Sequence, residues 1–176
     1  EVLIELHKEF TPRQQKLAQK RAEVLKNSLI GYLPGYLPES EAKTGDWKIA
    51  LPDYIKDQRN QMTGPADDAE LVVKMLNSGA PGVMIDLEDS MANIWTNLER
   101  GIENSIKALH DELDYYDFKR NRKVPINSSK TATMIRVRGL HLSQAGLISD
   151  ELISASVYDT ARIALGVERA KLKHNL

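Results

Sequence analysis

Apolar residues recur at helical spacing over the first thirty positions of the chain. The run from 2 to 10 predicts one helix. A second helix is predicted to start at Thr11. Thr11 would be its cap, Pro12 would take the first helical position, and Gln14 lies three residues after the cap, as in a capping box. A twice-stated Gly-Tyr-Leu-Pro at 31–38 predicts an irregular connection. The chain therefore opens with a helical segment, predicted to end at residue 45.

Strand and helix patterns alternate through the rest of the chain. A short strand is predicted at 47–50, followed by a polar loop to Thr63-Gly64-Pro65, where Pro65 opens a helix that ends at 77–79. The later predictions are a strand at 82–87, a helix with apolar residues from 94 to 113, a polar loop over 111–129, a strand at 131–138 and a helix over 150–166. This alternation favours a parallel sheet of the α/β class.

Composition removes several classes of function. The 24 Lys and Arg residues nearly balance the 25 Asp and Glu residues, for a formal net charge of -1, so charge gives no reason to expect nucleic acid or a membrane surface as a partner. Cysteine is absent, which excludes disulfides and thiolate metal sites. No apolar run approaches the roughly 20 residues of a membrane span, and the charged start is unlike a signal peptide. We expect a soluble, cytoplasmic protein.

Acidic and basic side chains stand at the ends of two predicted strands. Side chains alternate across a strand, so Asp86 and Glu88 share one face of the first strand, and Arg136 and Arg138 share one face of the second. The carboxyl ends of parallel strands form the active-site rim of α/β folds. Asp86, Glu88 and Arg136 can therefore converge on one pocket, where the guanidinium is a fixed cation for an anionic substrate. Arg138 is the weaker candidate, being nearer the turn at Gly139 and freer to reach solvent.

Structural roles compete with these functional ones. Asp86 and Glu88 can form ion pairs with either arginine as purely structural salt bridges. Asp89 and Ser90 can simply cap the following helix. His141 lies beyond the glycine and suits a loop or packing role better than a general base. Solvation is the default for three further histidines on predicted helices or in the tail: His7, His110 and His174.

Four stretches of the sequence carry a resemblance to a known family. They are 10–13; 46–49 through Arg59 to 63–65; 76–79 through Asp86-Leu87-Glu88-Asp89-Ser90; and Arg136-Val137-Arg138-Gly139-Leu140-His141-Leu142. Together they resemble the malate synthase family, specifically its shorter A form, and the last stretch is the most specific. The acid run and the arginine strand are also similar to the citrate lyase β-subunit and the HpcH/HpaI aldolases. The segment around Trp47 and the final stretch favour malate synthase over those.

The resemblance implies a TIM (β/α)8 barrel, with residues 1–45 as an N-terminal helical clasp and 46–176 as the first part of the barrel. It implies a Claisen condensation of acetyl-CoA with glyoxylate to give malate, with Mg²⁺ as cofactor. Arg136 matches the family's active-site arginine, which would stabilise the enolate of acetyl-CoA. Glu88 and Asp89 match acids that line the family's pocket near metal-bound water. Asp86 is a further candidate for that pocket.

The same resemblance makes the chain the front part of such an enzyme, because even a bare barrel needs about 250 residues. The family's main Mg²⁺ ligands and its aspartate base would then fall beyond Leu176. We expect the isolated chain to be inactive and to self-associate through an open sheet edge. Two alternatives stay open. One is a C–C lyase acting on a CoA ester, similar to the HpcH/HpaI aldolases or citrate lyase, and the other is a truncated, non-catalytic interaction subunit.

Overall fold

The computed structural model of the protein describes residues 1–127, 131–168 and 171–172. It is a mixed α/β structure with a long N-terminal helix and three small sheets. None of the helices in these described ranges is long and apolar enough to cross a membrane. The elements in chain order are α1 (Val2–Leu29), α2 (Glu41–Thr44), a 3-10 helix (Asp53–Ile55), β1 (Gln61–Pro65), α3 (Ala69–Leu76), β2 (Gly82–Asp86), α4 (Trp95–Leu109), β3 (Asp114–Asp117), β4 (Arg122–Pro125), β5 (Ala132–Arg136), β6 (Ser143–Ile148), β7 (Glu151–Ser154) and α5 (Ala155–Gly166).

Helix α1 is one continuous helix, so the predicted start of a second helix at Thr11 is wrong. Pro12 lies inside α1, where its ring removes one backbone donor. Thr11 is buried and does not act as a cap, because its Oγ1 lies 2.9 Å from Nδ1 of His7, one turn earlier. The irregular connection predicted at 31–38 is confirmed. The division of the chain at residue 45 stays a prediction.

Polar contacts attach α1 to the region that follows β5. Nε2 of His7 lies 2.6 Å from Oε2 of Glu151 in β7. Gln14 lies two turns further along the same helix, and its Nε2 donates to the carbonyl oxygens of Leu140 and Leu142 at 2.8 and 3.1 Å. These bonds hold α1 beside residues 136–142, the most specific of the four stretches that carry the family resemblance.

Two histidines are buried, contrary to the prediction that they are solvated. His7 is 8% exposed, and the contacts of α1 described above explain its burial. His110 is 7% exposed, and its Nε2 accepts a hydrogen bond from the backbone N–H of Glu168 at 3.2 Å. Both rings therefore join distant parts of the chain. His174 lies outside the described residues.

Strands β1, β2 and β5 form a parallel sheet in that order, which confirms the predicted parallel sheet. Its first strand, however, replaces part of a predicted loop, and residues 47–50, all of them described, form no strand. Residues 63–65, the predicted end of a loop, form the end of β1. This is possible because β1 is an edge strand of the described sheet, where a terminal proline is tolerated. Glycine at position 64 lets α3 pack closely against β1, because a Cβ there would lie only 2.8 Å from Sδ of Met75 in α3.

Two antiparallel hairpins stand where other structure was predicted. Strands β3 and β4 pair within the predicted loop over 111–129, of which 128 and 129 lie outside the described residues. Strands β6 and β7 pair just before α5, which therefore begins at Ala155 and not at 150. Helix α3 also begins later than the predicted Pro65, because Asp68 caps it by accepting a hydrogen bond from the N–H of Leu71 at 2.9 Å.

The hydrophobic core lies on one face of the parallel sheet. Val83 and Ile85 of β2 are fully buried on that face, in a cluster with apolar side chains of α3 and α4. Met84 and Met134 point to the opposite face, and both stay partly exposed in the described structure. Parallel sheets are usually covered on both faces. The partly exposed face leads to the carboxyl edge of the sheet, where the candidate chemistry lies.

Candidate active site at the carboxyl edge of the sheet

The carboxyl ends of β2 and β5 lie side by side, which confirms the predicted meeting of acids and arginine. Asp86 and Arg136 are register partners in the two strands. The N–H of Leu87 donates to the carbonyl oxygen of Arg136 at 2.9 Å, and the N–H of Ala66, just after β1, donates to the carbonyl oxygen of Asp86 at 3.0 Å. Backbone pairing of three strand ends therefore fixes the points from which these side chains extend.

Arg136 lies at the centre of three carboxylates. Its Nε donates to Oε2 of Glu88 at 2.7 Å, and its Nη2 lies 2.6 Å from the same oxygen. The Nη2 also pairs with Oδ2 of Asp89, and the Nε lies 3.6 Å from Oδ1 of Asp86. Asp86 is the last residue of β2, and Glu88 and Asp89 reach Arg136 from the turn that follows the strand. We call Asp86, Glu88, Asp89 and Arg136 the strand-end cluster.

Asp86 is the buried member of the strand-end cluster, with a side chain only 1% exposed. Its Oδ1 accepts a hydrogen bond from the backbone N–H of Glu88 at 2.8 Å, and its Oδ2 accepts one from the hydroxyl of Ser90 at 2.5 Å. These bonds hold the turn after β2 against the strand end. The alternative that Asp89 and Ser90 simply cap the following helix is excluded. The N-cap of α4 is Ile94, Asp89 pairs with Arg136, and Ser90 bonds Asp86.

Arg136 supplies a permanent positive charge to an otherwise acidic rim. Its hydrogen bonds to Glu88 and then to Asp89 raise the pKa of the guanidinium above its ordinary value, so the charge persists at every physiological pH. One third of the side chain is exposed (33%), which leaves it accessible to a bound molecule. Three carboxylates around one guanidinium leave a formal excess of two negative charges.

Arg138 does not reach solvent, so the prediction of a freer side chain near the turn is wrong. Its side chain is 2% exposed, and its Nη2 lies 2.8 Å from Oδ1 of Asp159 in α5, whose side chain is 0% exposed. Its Nη1 donates to Oδ1 of Asn93 at 3.2 Å and to Oε1 of Gln144 at 3.0 Å. Of the two arginines, Arg136 is the one that faces the candidate site.

Asp159 is the residue near the site that the sequence interpretation missed. It lies 21 residues after its partner, in a helix whose beginning was misplaced. The available signal was its helical spacing of four residues from the apolar Ala155 and Ile163, both of which are buried. A carboxylate is almost never fully buried unless it is paired, so an acid on that helix face indicates a partner. His141 lies in the turn after β5, as predicted, with its ring against Gly139.

The strand-end cluster does not form a metal site by itself. Within the described ranges, no group of three His, Cys, Asp or Glu side chains is placed to hold a metal ion. The three carboxylates of the cluster already surround Arg136, which competes with any cation for the same oxygens. Mg²⁺ therefore stays a prediction from the family resemblance, and we assign no chemical step to it.

Malate synthases are similar to this chain over most of its length. It is 32% identical to the malate synthase of Arabidopsis thaliana over 148 residues, which is 83% of this chain and 26% of that protein. It is 32% identical to the malate synthase of Myxococcus xanthus over 162 residues, 90% of this chain and 30% of that protein. It is 33% identical to the bifunctional glyoxylate cycle protein of Caenorhabditis elegans over 164 residues, 89% of this chain and 17% of that protein.

The chain spans about a quarter of the length of the first of these relatives, 26% of the Arabidopsis thaliana protein. A glyoxysomal malate synthase of Zea mays is matched at the same level, 32% identity over 82% of this chain and 26% of that protein. Models of known protein families give no match to the sequence.

Proposed function

Because this chain belongs to the malate synthase family, we propose that the protein condenses acetyl-CoA with glyoxylate and water to give malate and CoA. The observation that carries this proposal is the strand-end cluster. It places a permanent, accessible cation, Arg136, at the carboxyl edge of a parallel sheet, inside the stretch of sequence most specific to the family. The names of the relatives, malate synthase and bifunctional glyoxylate cycle protein, support the same reaction.

The fold that we propose for the complete protein is a TIM barrel with residues 1–45 as a helical clasp. Three features support it. Strands β1, β2 and β5 lie side by side in chain order and run parallel, helices pack on one face of the sheet, and the other face stays partly exposed in the described structure. In a barrel, that second face would line the interior, and the carboxyl edge would form the active-site rim.

Arg136 acts on the oxygen that gains negative charge during the condensation. In this reaction the acetyl methyl group loses a proton, and the enolate carbon forms a bond to the aldehyde carbon of glyoxylate. Water then cleaves the thioester and releases the CoA thiol. A preorganised guanidinium stabilises the enolate oxygen and the neighbouring glyoxylate oxygens as charge develops on them. Glu88, bonded to Nε of Arg136, holds the guanidinium in one direction. By resemblance, an aspartate of the family accepts the proton, and no residue of this chain is matched to it.

Charge balance supports a divalent cation in the complete site. Glyoxylate is an anion, and the strand-end cluster carries an excess of two negative charges that would repel it. Mg²⁺ prefers oxygen ligands and would offset that excess. Glu88 and Asp89 would line the pocket beside the ion and not ligate it directly, because both pair with Arg136. A cytoplasmic location stays a prediction, since the Zea mays relative is named glyoxysomal.

The proposal predicts glyoxylate-dependent release of CoA thiol from acetyl-CoA by the protein in its full natural length. Thiol release is followed with a chromogenic thiol reagent in the presence of Mg²⁺, and a reaction without glyoxylate is the control. We expect turnover of about 1 per second or faster, as for ordinary enzymes. A protein that cleaves a β-hydroxyacyl-CoA but releases no thiol with glyoxylate is a C–C lyase. A protein with neither activity favours the non-catalytic interaction subunit.

A further inference from the structure

Arg138 and Asp159 form an almost completely buried ion pair that holds both the main chain and the side chain of one residue. Oδ2 of Asp159 accepts from the backbone N–H of Arg138 at 2.9 Å, and Oδ1 accepts from Nη2 at 2.8 Å. The other end of the guanidinium, Nη1, donates to Asn93 and Gln144. The segment at 137–142 is thereby tied to α5, to β6 and to the loop before α4.

Stability alone is a poor explanation for this ion pair. Taking two charges out of water is costly, and a well-packed apolar pair of similar volume is often as stable or more stable. Several charge-assisted hydrogen bonds between the same two residues also fix their relative orientation, because the bonds tolerate little displacement. The backbone N–H of Arg138 shares the carboxylate with the guanidinium, so the position of the main chain is fixed together with the side chain.

Gly139 connects this fixed main chain to the strand-end cluster. A Cβ at Gly139 would collide with Oε1 of Glu88 and would lie 2.7 Å from Nδ1 and Cε1 of His141. The backbone of Gly139 therefore packs directly against one oxygen, Oε1, of the Glu88 carboxylate. The other oxygen, Oε2, accepts the hydrogen bond from Nε of Arg136. A shift of residues 138 and 139 would move Glu88 and, with it, the guanidinium of Arg136.

We propose that Arg138 and Asp159 are positioning residues of the active site. They hold Gly139 against Glu88 and so fix the direction of Arg136. The catalytic consequence rests on the function proposed above, whereas the positioning itself can be measured without turnover. Misplacement of a reacting group by about 1 Å can cost about 100-fold in rate. A small movement of the Gly139 backbone, passed on to Arg136, would therefore lower turnover.

The test compares Asp159→Asn with Ile163→Ala in the same helix. Asparagine keeps the shape of the side chain and removes the charge opposite Arg138, whereas alanine at Ile163 removes apolar atoms from the core. Three quantities are measured in the full-length protein: the Tm, kcat with acetyl-CoA and glyoxylate, and the solvent exchange of the Nε–H of Arg136 by NMR. Its resonance is assigned from its loss in Arg136→Lys.

Both variants should lower the Tm, but only Asp159→Asn should lower kcat, by about 100-fold, and speed the exchange of the Arg136 Nε–H several-fold. Gly139→Ala is a second variant, which displaces Glu88 directly while keeping the ion pair. It should show the same faster exchange and the same loss of kcat, with a smaller change in Tm.

Wild-type exchange at Arg136 in both Asp159→Asn and Gly139→Ala would overturn the inference. So would a loss of kcat in Asp159→Asn no greater than that in Ile163→Ala at a comparable Tm. If the unsubstituted protein forms no malate, the proposed function fails, and the exchange rates still decide whether Arg138 and Asp159 position Arg136. If it forms malate and exchange is unchanged, only the positioning role fails.

Discussion

Replacing Arg138 by alanine should lower the free energy of unfolding by about 3–5 kcal/mol, a large share of the stability of an ordinary domain. The substitution leaves the carboxylate of Asp159, with a side chain 0% exposed, buried without its cation. It also removes the donors that Asn93 and Gln144 accept from. Urea unfolding followed by circular dichroism gives the change in free energy.

Arg162→Ala is the matched control for that measurement, because Arg162 also lies in a pair that involves α5. Its Nη1 lies 2.9 Å from Oε1 of Glu99, but the two side chains are 42% and 33% exposed, so water and salt screen the interaction. We expect a loss of about 1 kcal/mol or less. Equal losses in the two variants would mean that the buried position of Arg138 adds nothing to its pair with Asp159.

Arg136→Lys should lower turnover by about 100-fold to 1000-fold while leaving the fold intact. Lysine keeps the positive charge but cannot present a planar fork of donors, so it cannot bond Glu88 and a substrate oxygen in the same fixed directions. The side chain is partly exposed at the rim of the sheet, so its loss should change the Tm little. Steady-state kinetics with acetyl-CoA and glyoxylate, together with a thermal melt, measure both effects.

Arg120→Lys controls for the general effect of exchanging an arginine. Arg120 pairs with Asp117 at 2.8 Å beside the β3–β4 hairpin, and its side chain is 68% exposed. We expect turnover close to that of the unsubstituted protein. If Arg136→Lys keeps near-normal turnover as well, Arg136 has no part in the mechanism.

The strand-end cluster could be predicted because its signals are local. Parallel strands end at a common edge, so the sequence predicts that the acids after β2 meet Arg136 at the end of β5. The predicted alternation holds only to Asp86, because Glu88 lies in the turn after β2. The backbone register that makes Asp86 and Arg136 partners confirms that meeting.

The errors in the predicted fold arise where tertiary contacts override local signals. Thr11 and Pro12 carry a strong helix-start pattern, yet α1 continues through them because Thr11 is buried beside His7, which is itself held by Glu151. A contact with β7, far along the chain, could not be read from the pattern at 11–14. The two hairpins were missed for a related reason, since their short strands carry mixed polar residues with weak alternation.

Arg138 was misjudged because the residue that determines its position lies on another element. Its position beside the turn at Gly139 predicts access to solvent. Asp159 removes that access. It lies on α5, which begins directly after the β6–β7 hairpin that the sequence pattern does not predict. Burial therefore adds a structural reason to prefer Arg136, which lies at the rim, over Arg138, which lies inside.

The fate of the acetyl methyl carbon tests the proposed function most directly. The full-length protein is incubated with Mg²⁺, glyoxylate and acetyl-CoA labelled with ¹³C at the methyl carbon, and the products are followed by NMR. The condensation predicts that the label moves to the methylene carbon of malate as CoA is released, and that Arg136→Lys slows this transfer. Label that stays in acetyl-CoA, or that reaches a product without glyoxylate, would contradict malate synthase activity.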